Sequence, residues 1–338
     1  MMGKLLPILA TGRQTWQLTG TEMEVEVILA STAKDSPPIY TLRMRYPRII
    51  HAEVMTHRVF SRNARSSRAV PVQTMLDEIR NSPFVPWHWG ANQKGMQAGE
   101  ECDELVSFAH YLPGPLLKNQ PQGVIKEVVR RSPRNAWLEA CTRAADIAEG
   151  FMKAGYHKQI CNRLLEPFMW IDVLVTSTDW KNFLWLRDHE AAEPHIRDLA
   201  RLVDVAIQET QPYSLEPGQW HRPYITGDDV DHWMDLCDAK SDFDLVLNKI
   251  SAARCARISY KPFDGDASYE RELERYDSLV SSDRVHASPL EHQAQACVTG
   301  ISLGGHPMLP NSNRKLRGNL APGWNQFRKT IPNESYHD

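Results

Sequence analysis

One stretch constrains this chain more than any other. Residues 51–70 read HAEVMTHRVFSRNARSSRAV, and no acidic side chain occurs between Glu53 and Asp77. Within twelve positions fall His57, Arg58, Arg62, Arg65 and Arg68, interleaved with Ser61, Asn63, Ser66 and Ser67. Uncompensated guanidinium groups set among short hydroxyls and an amide form a surface for phosphate and for planar polar rings. The plainer alternative is a solvated basic face, or one paired with acids from elsewhere in the fold. The Ala, Met and Arg content of the stretch predicts a helix. On it His57, Ser61, Arg65 and Arg68 would follow a 4-4-3 spacing along one stripe.

The basic stretch is a local feature, because the whole chain of 338 residues carries a net charge of −3. Hydrophobic content of 42% and charged content of 24% are those of an ordinary globular protein with ample length for a core. No apolar run approaches the ~20 residues a membrane span needs. The N-terminal MMGKLLPILATGRQ lacks a signal-peptide apolar region followed by a cleavage site. Cysteines 102, 141, 161, 237, 255 and 297 show neither a C-x-x-C pair nor zinc spacing. The expectation is reduced thiols in the cytoplasm and no metal.

Residues 22–32 alternate acidic and apolar side chains and predict a strand; 39–46 predict a second, joined to it through the turn Asp35-Ser-Pro-Pro38. The basic helix is expected directly after Pro47. Residues 69–98 begin as a short helix and become a Pro/Trp/Gly loop. A largely helical pattern over 99–160, broken around Pro113–Pro121 and at Ser132-Pro133, ends in an amphipathic helix (135–155) closed by Gly155. Residues 180–208 predict helix on both sides of Pro194, and 242–260 another. Residues 270–298 predict a helix, a turn and the start of a strand. Residues 210–240 read as loop, and the tail from Gly304 as irregular and polar.

The pattern His57-Arg58-x-x-Ser61-x-Asn63-x-x-Ser66-x-Arg68 resembles the R-H-R-x-x-S-x-N-x-x-S-x-R signature of flavin-dependent thymidylate synthases, with Thr56 in place of the first Arg. NFLWLR (182–187) is similar to that family's N-F-L-x-L-R helix, and Arg163-Leu-Leu-Glu-Pro167 to its R-x-x-x-P. SAARCARISY (251–260) and HASPLEH (286–292) resemble the segment S-A-x-R-x-A-R-V-S-F…H-x-T-P-F-E-H, which in the family precedes the signature. Here it follows, near the C-terminus. The resemblance therefore implies an α+β fold, an antiparallel sheet packed with helices, with its segment order circularly permuted. It covers about 22–70, 157–208 and 245–298 of a single catalytic domain spanning 1–338. Insertions at about 83–134 and 209–240 and the tail 299–338 have no counterpart.

The resemblance implies a methyltransferase that moves a one-carbon unit from methylenetetrahydrofolate to C5 of dUMP, giving dTMP. FAD is the implied cofactor and NADPH its reductant. It places His57, Arg58, Ser61, Asn63, Asn182, Ser288 and Glu291 at the flavin, and Ser66, Arg68, Arg163 and Arg187 at the nucleotide. Ser66, Arg68, Arg187 and His286 would take part in the chemistry, with Arg187 stabilising negative charge on the pyrimidine and His286 orienting the folate. A homotetramer is implied as well. For His286 and His292, a capping or satisfied core histidine is the plainer reading.

Departures from the family pattern open alternatives. Thr56 removes a contact to the flavin phosphates, Glu53 replaces the usual Gln, and a flavin-contacting His after Arg187 is missing, for which His189 or His195 would have to substitute. The same chemistry ended by water would make a hydroxymethylase of dUMP or dCMP. A non-catalytic nucleic-acid-binding protein using the Arg-rich stretch is the alternative from a different class.

Overall fold

The computed structural model of the chain describes residues 5–10, 13–97, 99–111, 125–258, 267–281, 285–297 and 315–335. They belong to two units, Met1–Val70 with Trp170–Asp338, and Pro71–Met169. Ser259 and Tyr260, the predicted break at 113–121 and tail residues 299–314 lie outside the described residues.

The first unit opens with antiparallel strands β1 (Leu5–Ala10), β2 (Arg13–Leu18), β3 (Glu24–Ala33) and β4 (Ile39–Pro47). The predicted β3–β4 hairpin is present. Its alternation works as expected: Val25, Val27, Leu42 and Met44 are buried, while Glu24 and Glu26 face Arg43 at 2.7 Å each on the other side. Asp35 takes a left-handed conformation, φ 59°, in the connecting turn.

The predicted basic helix does not form. A 3₁₀ turn (Arg48–Ile50) leads into α1 (His51–Met55), which stops after five residues; a turn follows, then β5 (Ser61–Ala64). Val59 and Phe60 are weak helix formers, and the Ser and Asn side chains compete with the helical backbone, so local preference is slight. Strand pairing decides the outcome. The 4-4-3 stripe does not exist, because neighbours in a strand point to opposite faces.

In the second unit, α2 (Val72–Asn81) buries Val72, Met75, Leu76 and Ile79, one helical face. The aromatic loop beyond it packs Phe84 on Trp137 (6.1 Å between centroids), and Trp137 Nε1 donates to the Phe84 carbonyl at 2.8 Å. The helical pattern expected from 99 gives way to an antiparallel pair, β6 (Val106–Tyr111) and β7 (Ile125–Arg131). Val106, Phe108, Ile125, Val128 and Val129 favour that outcome. Helix α3 (Pro133–Lys153) is capped by Ser132, whose hydroxyl accepts from Asn135 N, and is closed by Gly155 at φ +85°. Then come α4 (Lys158–Cys161) and 3₁₀ turns at Asn162–Leu164 and Glu166–Phe168.

The chain re-enters the first unit with β8 (Trp170–Ser177), for which no element is expected from the sequence. Ile171, Val173, Leu174 and Val175 are buried on both faces, so the run shows no alternation. It pairs antiparallel with β4 on one side and β5 on the other, giving the order β1-β2-β3-β4-β8-β5. Helices α5 (Lys181–Arg187) and α6 (Pro194–Gln208) divide at Pro194, as the spacing predicts. The second packs Ile196, Leu199, Leu202, Val203 and Ala206 over β2 and β3.

The remaining elements are β9 (Tyr213–Leu215), parallel to β3, β10 (Trp220–His221), α7 (Gly227–Met234), α8 (Lys240–Ala256), α9 (Tyr269–Val280), β11 (Ala294–Ala296) and β12 (Trp324–Gln326). Strands β10, β11 and β12 form a second antiparallel sheet. The expected irregular, polar tail is thus partly core. Trp324 is fully buried against Ala33, Ile39, Ala294 and Ala296, and Phe327 joins a cluster with Ala252, Tyr276 and Leu290. Widely spaced apolar residues carry no periodicity, so only packing shows their role.

Candidate active site

A row of buried hydroxyls crosses the middle of the large sheet. Thr41 on β4 and Ser61 on β5 both stand opposite Thr176 on β8, on one face. Two histidines complete the row: His221 bridges Ser31 (Nδ1, 2.9 Å) and Thr41 (Nε2, 2.8 Å), Thr41 meets Thr176 at 2.6 Å, and Thr176 meets His292 Nδ1 at 2.8 Å. Burial pushes both imidazoles down to about 3, so both are neutral near pH 7. His292 is thereby a core histidine, the plainer of its two readings.

Beside this row the signature's residues divide. His57 is buried between Phe60 and Phe183, with ring centroids at 5.6 and 5.0 Å. Its Nε2 accepts from Arg187 Nε at 3.0 Å, so Nδ1 carries the proton of a neutral ring. Burial, and then the charges of Arg187 and Arg62, push this histidine down to about 4. Arg187 Nη2 also donates to Thr56 Oγ1 (2.9 Å) and to the Glu53 carbonyl (3.3 Å). The threonine that replaces the signature's first Arg therefore anchors the arginine of the α5 motif. Nη1 of Arg187 is uncommitted among the described residues, and the buried Oε2 of Glu53 has no partner among them.

The C-terminal block reaches the same strand. Asn63 Nδ2 donates to the Cys255 carbonyl at 2.8 Å, and Ser288 Oγ donates to Asn63 Oδ1 at 3.3 Å. The segment Ser288–Glu291 is a 3₁₀ turn beside β5. Ser61, fully buried, donates to Asn319 Oδ1 at 3.1 Å and accepts from Gln326 Nε2 at 3.1 Å. Gln326 Nε2 also reaches the Glu291 carbonyl at 3.0 Å. Asn319 and Gln326 line a pocket of about 500 Å³ that also draws on Arg58, Arg62, Glu291 and Arg328. Ser61 thus stands behind the pocket and orients two of its walls.

Extended backbone has a further consequence. Ser61 and Ala64 lie roughly 10 Å apart at ~3.3 Å per residue, so the strand carries Ser66 and Arg68 away from the end that holds Arg58. Ser66 Oγ accepts from the Arg68 amide at 3.3 Å within a turn. The Arg68 side chain is exposed and uncommitted among the described residues.

Of the residues assigned to the flavin, Arg58 and Glu291 line the pocket, His57 pairs with Arg187 of the nucleotide set, and Asn63 joins Ser288. Asn182 is exposed on α5, and His286 is exposed ahead of the 3₁₀ turn. His195 is buried on α6 with Nδ1 at 2.6 Å from Glu193, and His189 is exposed. Arg163 belongs to the second unit, exposed on the 3₁₀ turn Asn162–Leu164. Sequence reasoning missed Lys315, Asn319, Gln326, Arg328 and Lys329. Their only signal was a cluster of cations, Arg314, Lys315, Arg317, Arg328 and Lys329, in a tail without periodicity.

No protein-family model matches the chain, and no curated protein matches it. Among solved structures it is similar to the flavin-dependent thymidylate synthase ThyX of Helicobacter pylori, complexed with FAD and dUMP. That match has 15% identity and a TM-score of 0.30, covering 50% of this chain and 67% of that one. It is also similar to the UMP/dUMP methylase PolB of Streptomyces cacaoi bound with 5-Br UMP, at 17% identity and a TM-score of 0.36, covering 56% and 90%. The PolB structure with 5-Br dUMP matches at 14% identity with the same TM-score, covering 56% and 91%.

Proposed function

We propose that this chain is a flavin-dependent enzyme that transfers a one-carbon unit to C5 of a pyrimidine deoxynucleotide, dUMP in the first instance, with its family blocks in circularly permuted order. One observation carries the reading. Motif residues from separate parts of the chain, His57 and Asn63, Arg187, and Cys255 with Ser288, hydrogen-bond to one another around α1 and β5. A basic face meant only for solvent would not need these partners.

The residues present suit FAD. Arg58 is uncommitted among the described residues, the pocket beside it is cationic, and ordered amide and hydroxyl groups back it. FAD reduced by NADPH would supply hydride, with methylenetetrahydrofolate supplying the carbon. The chain's own task is positioning. The neutral His57 holds the Arg187 guanidinium in one plane, leaving Nη1 to meet a pyrimidine carbonyl and stabilise negative charge as it develops on the ring. Ser66, already an acceptor for the Arg68 amide, retains its O–H to donate. Arg68 offers a free fork for the nucleotide phosphate.

The test is the visible spectrum of the purified protein with FAD, followed by titration with dUMP and then dCMP. A flavin band perturbed by one of the nucleotides is expected, and product analysis then separates methyl from hydroxymethyl. Absence of flavin uptake together with steeply salt-dependent DNA or RNA binding would overturn the reading.

A further inference from the structure

The pocket beside Ser61 has a lining richer in cations than in apolar faces for a ring. Among the described residues, Arg58, Arg62, Lys315, Arg328 and Lys329 face it with one carboxylate, Glu291, and one apolar side chain, Phe60. Flavin and pyrimidine rings seek apolar or aromatic faces. Forked guanidinium groups and ammonium groups seek phosphate oxygens. Glu334 engages Lys329 and Arg328 Nε, each at 2.6 Å, and Arg328 also pairs with Glu291, so these side chains are held in place. Cations still outnumber carboxylates.

The charge comes from two directions. Arg58 and Arg62 belong to the turn and strand at β5, while Lys315, Arg328 and Lys329 belong to the C-terminal segment. Arg62 is fixed by donating to the Met55 carbonyl at 2.6 Å. Gly318, at φ +62°, leaves space where a Cβ would run into the Gln326 side chain. Cations from two separate parts of the chain around a pocket of about 500 Å³ suit two linked phosphates better than one.

We propose that this pocket binds a diphosphate ester, and that the segment 315–329 supplies, with Arg58 and Arg62, the positive charge that holds it. A free nucleoside diphosphate and a dinucleotide offer the same chemistry; choosing FAD between them rests on the flavin reading above.

The experiment is calorimetric titration of the full chain, at low salt, with ADP, inorganic pyrophosphate, FAD and riboflavin. ADP, pyrophosphate and FAD are expected to bind and to compete. Arg58→Gln, Lys315→Gln and Lys329→Gln should each weaken ADP and FAD about tenfold while leaving riboflavin unchanged, and Lys329→Arg should restore binding. Arg58→Gln is the variant expected to leave the fold intact, because the Arg58 side chain is exposed and makes no hydrogen bond or ion pair among the described residues. Failure of ADP and pyrophosphate to bind overturns the proposal. So does ADP affinity that stays within about twofold in the Lys315 and Lys329 variants. FAD binding untouched by the substitutions keeps the flavin reading and sinks this one. ADP binding that the substitutions weaken, without FAD binding, does the reverse.

Discussion

Replacing Thr176 by Val tests the buried hydroxyl row at its centre. The substitution keeps shape and strand preference and removes one oxygen, which bonds Thr41 at 2.6 Å and His292 Nδ1 at 2.8 Å. Thr41 keeps its bond to His221. His292 does not fare as well, because its Nε2 already has no partner among the described residues and the ring is fully buried. An orphaned buried polar group costs about 1–3 kcal/mol, and the lost hydroxyl pair about 1 more. The expected loss is therefore about 2–4 kcal/mol, or a fall in Tm of roughly 3–6 °C for a chain of 338 residues at ~2.1 cal/mol/K of unfolding entropy per residue. Differential scanning calorimetry reads it, with Thr15→Val on β2 as a control expected to stay within about 0.5 kcal/mol. A Thr176→Val protein that melts with the control would refute the reasoning: the row would then not be a hydrogen-bonded unit.

Three further outcomes follow from the same geometry. Arg68→Ala should abolish turnover with Tm unchanged, whereas Arg187→Ala should abolish turnover and also lower Tm, since it severs bonds to His57, Thr56 and the Glu53 carbonyl; full activity in both variants would sink the site assignment. His57, His221 and His292 titrate near 4, 3 and 3 when folded, against about 6.5 unfolded. Below about pH 6.5 the unfolded chain takes up protons that the folded one refuses, so Tm should be level above neutrality and fall progressively toward pH 5. A Tm that rises with acidification would contradict the neutral assignments. Alkylation with iodoacetamide at pH 8, mapped by mass spectrometry, should label the part-exposed Cys102 and Cys237 first. Cys255, fully buried with its thiol pushed far up by burial, should stay unmodified until the protein unfolds.

The interplay of motif and backbone explains why parts of the candidate site are legible in the sequence and others are not. His57, Arg58, Asn63, Arg187 and Ser288 could be singled out by residue type and order, and the fold brings them into one neighbourhood. Their partners could not be singled out. That Thr56 holds Arg187, or that Ser61 turns inward to Asn319 and Gln326, depends on contacts between residues more than a hundred positions apart. Such contacts leave no local pattern.

What the amino-acid order determined by itself is local and periodic: the β3–β4 hairpin through its acid–apolar alternation, the break between α5 and α6 at Pro194, and the closure of α3 at Gly155. Each follows from side-chain period or from a backbone preference confined to a few residues. Tertiary structure decided the rest. Residues 61–64 became a strand because β8 offers hydrogen-bonding partners that outweigh a weak helical preference. The unpatterned tail became wall and core because Trp324 and Phe327 found apolar surface to cover, and that carried Lys315, Arg328 and Lys329 to the pocket. Burial and long-range pairing act on the folded chain as a whole, so no window of sequence contains them.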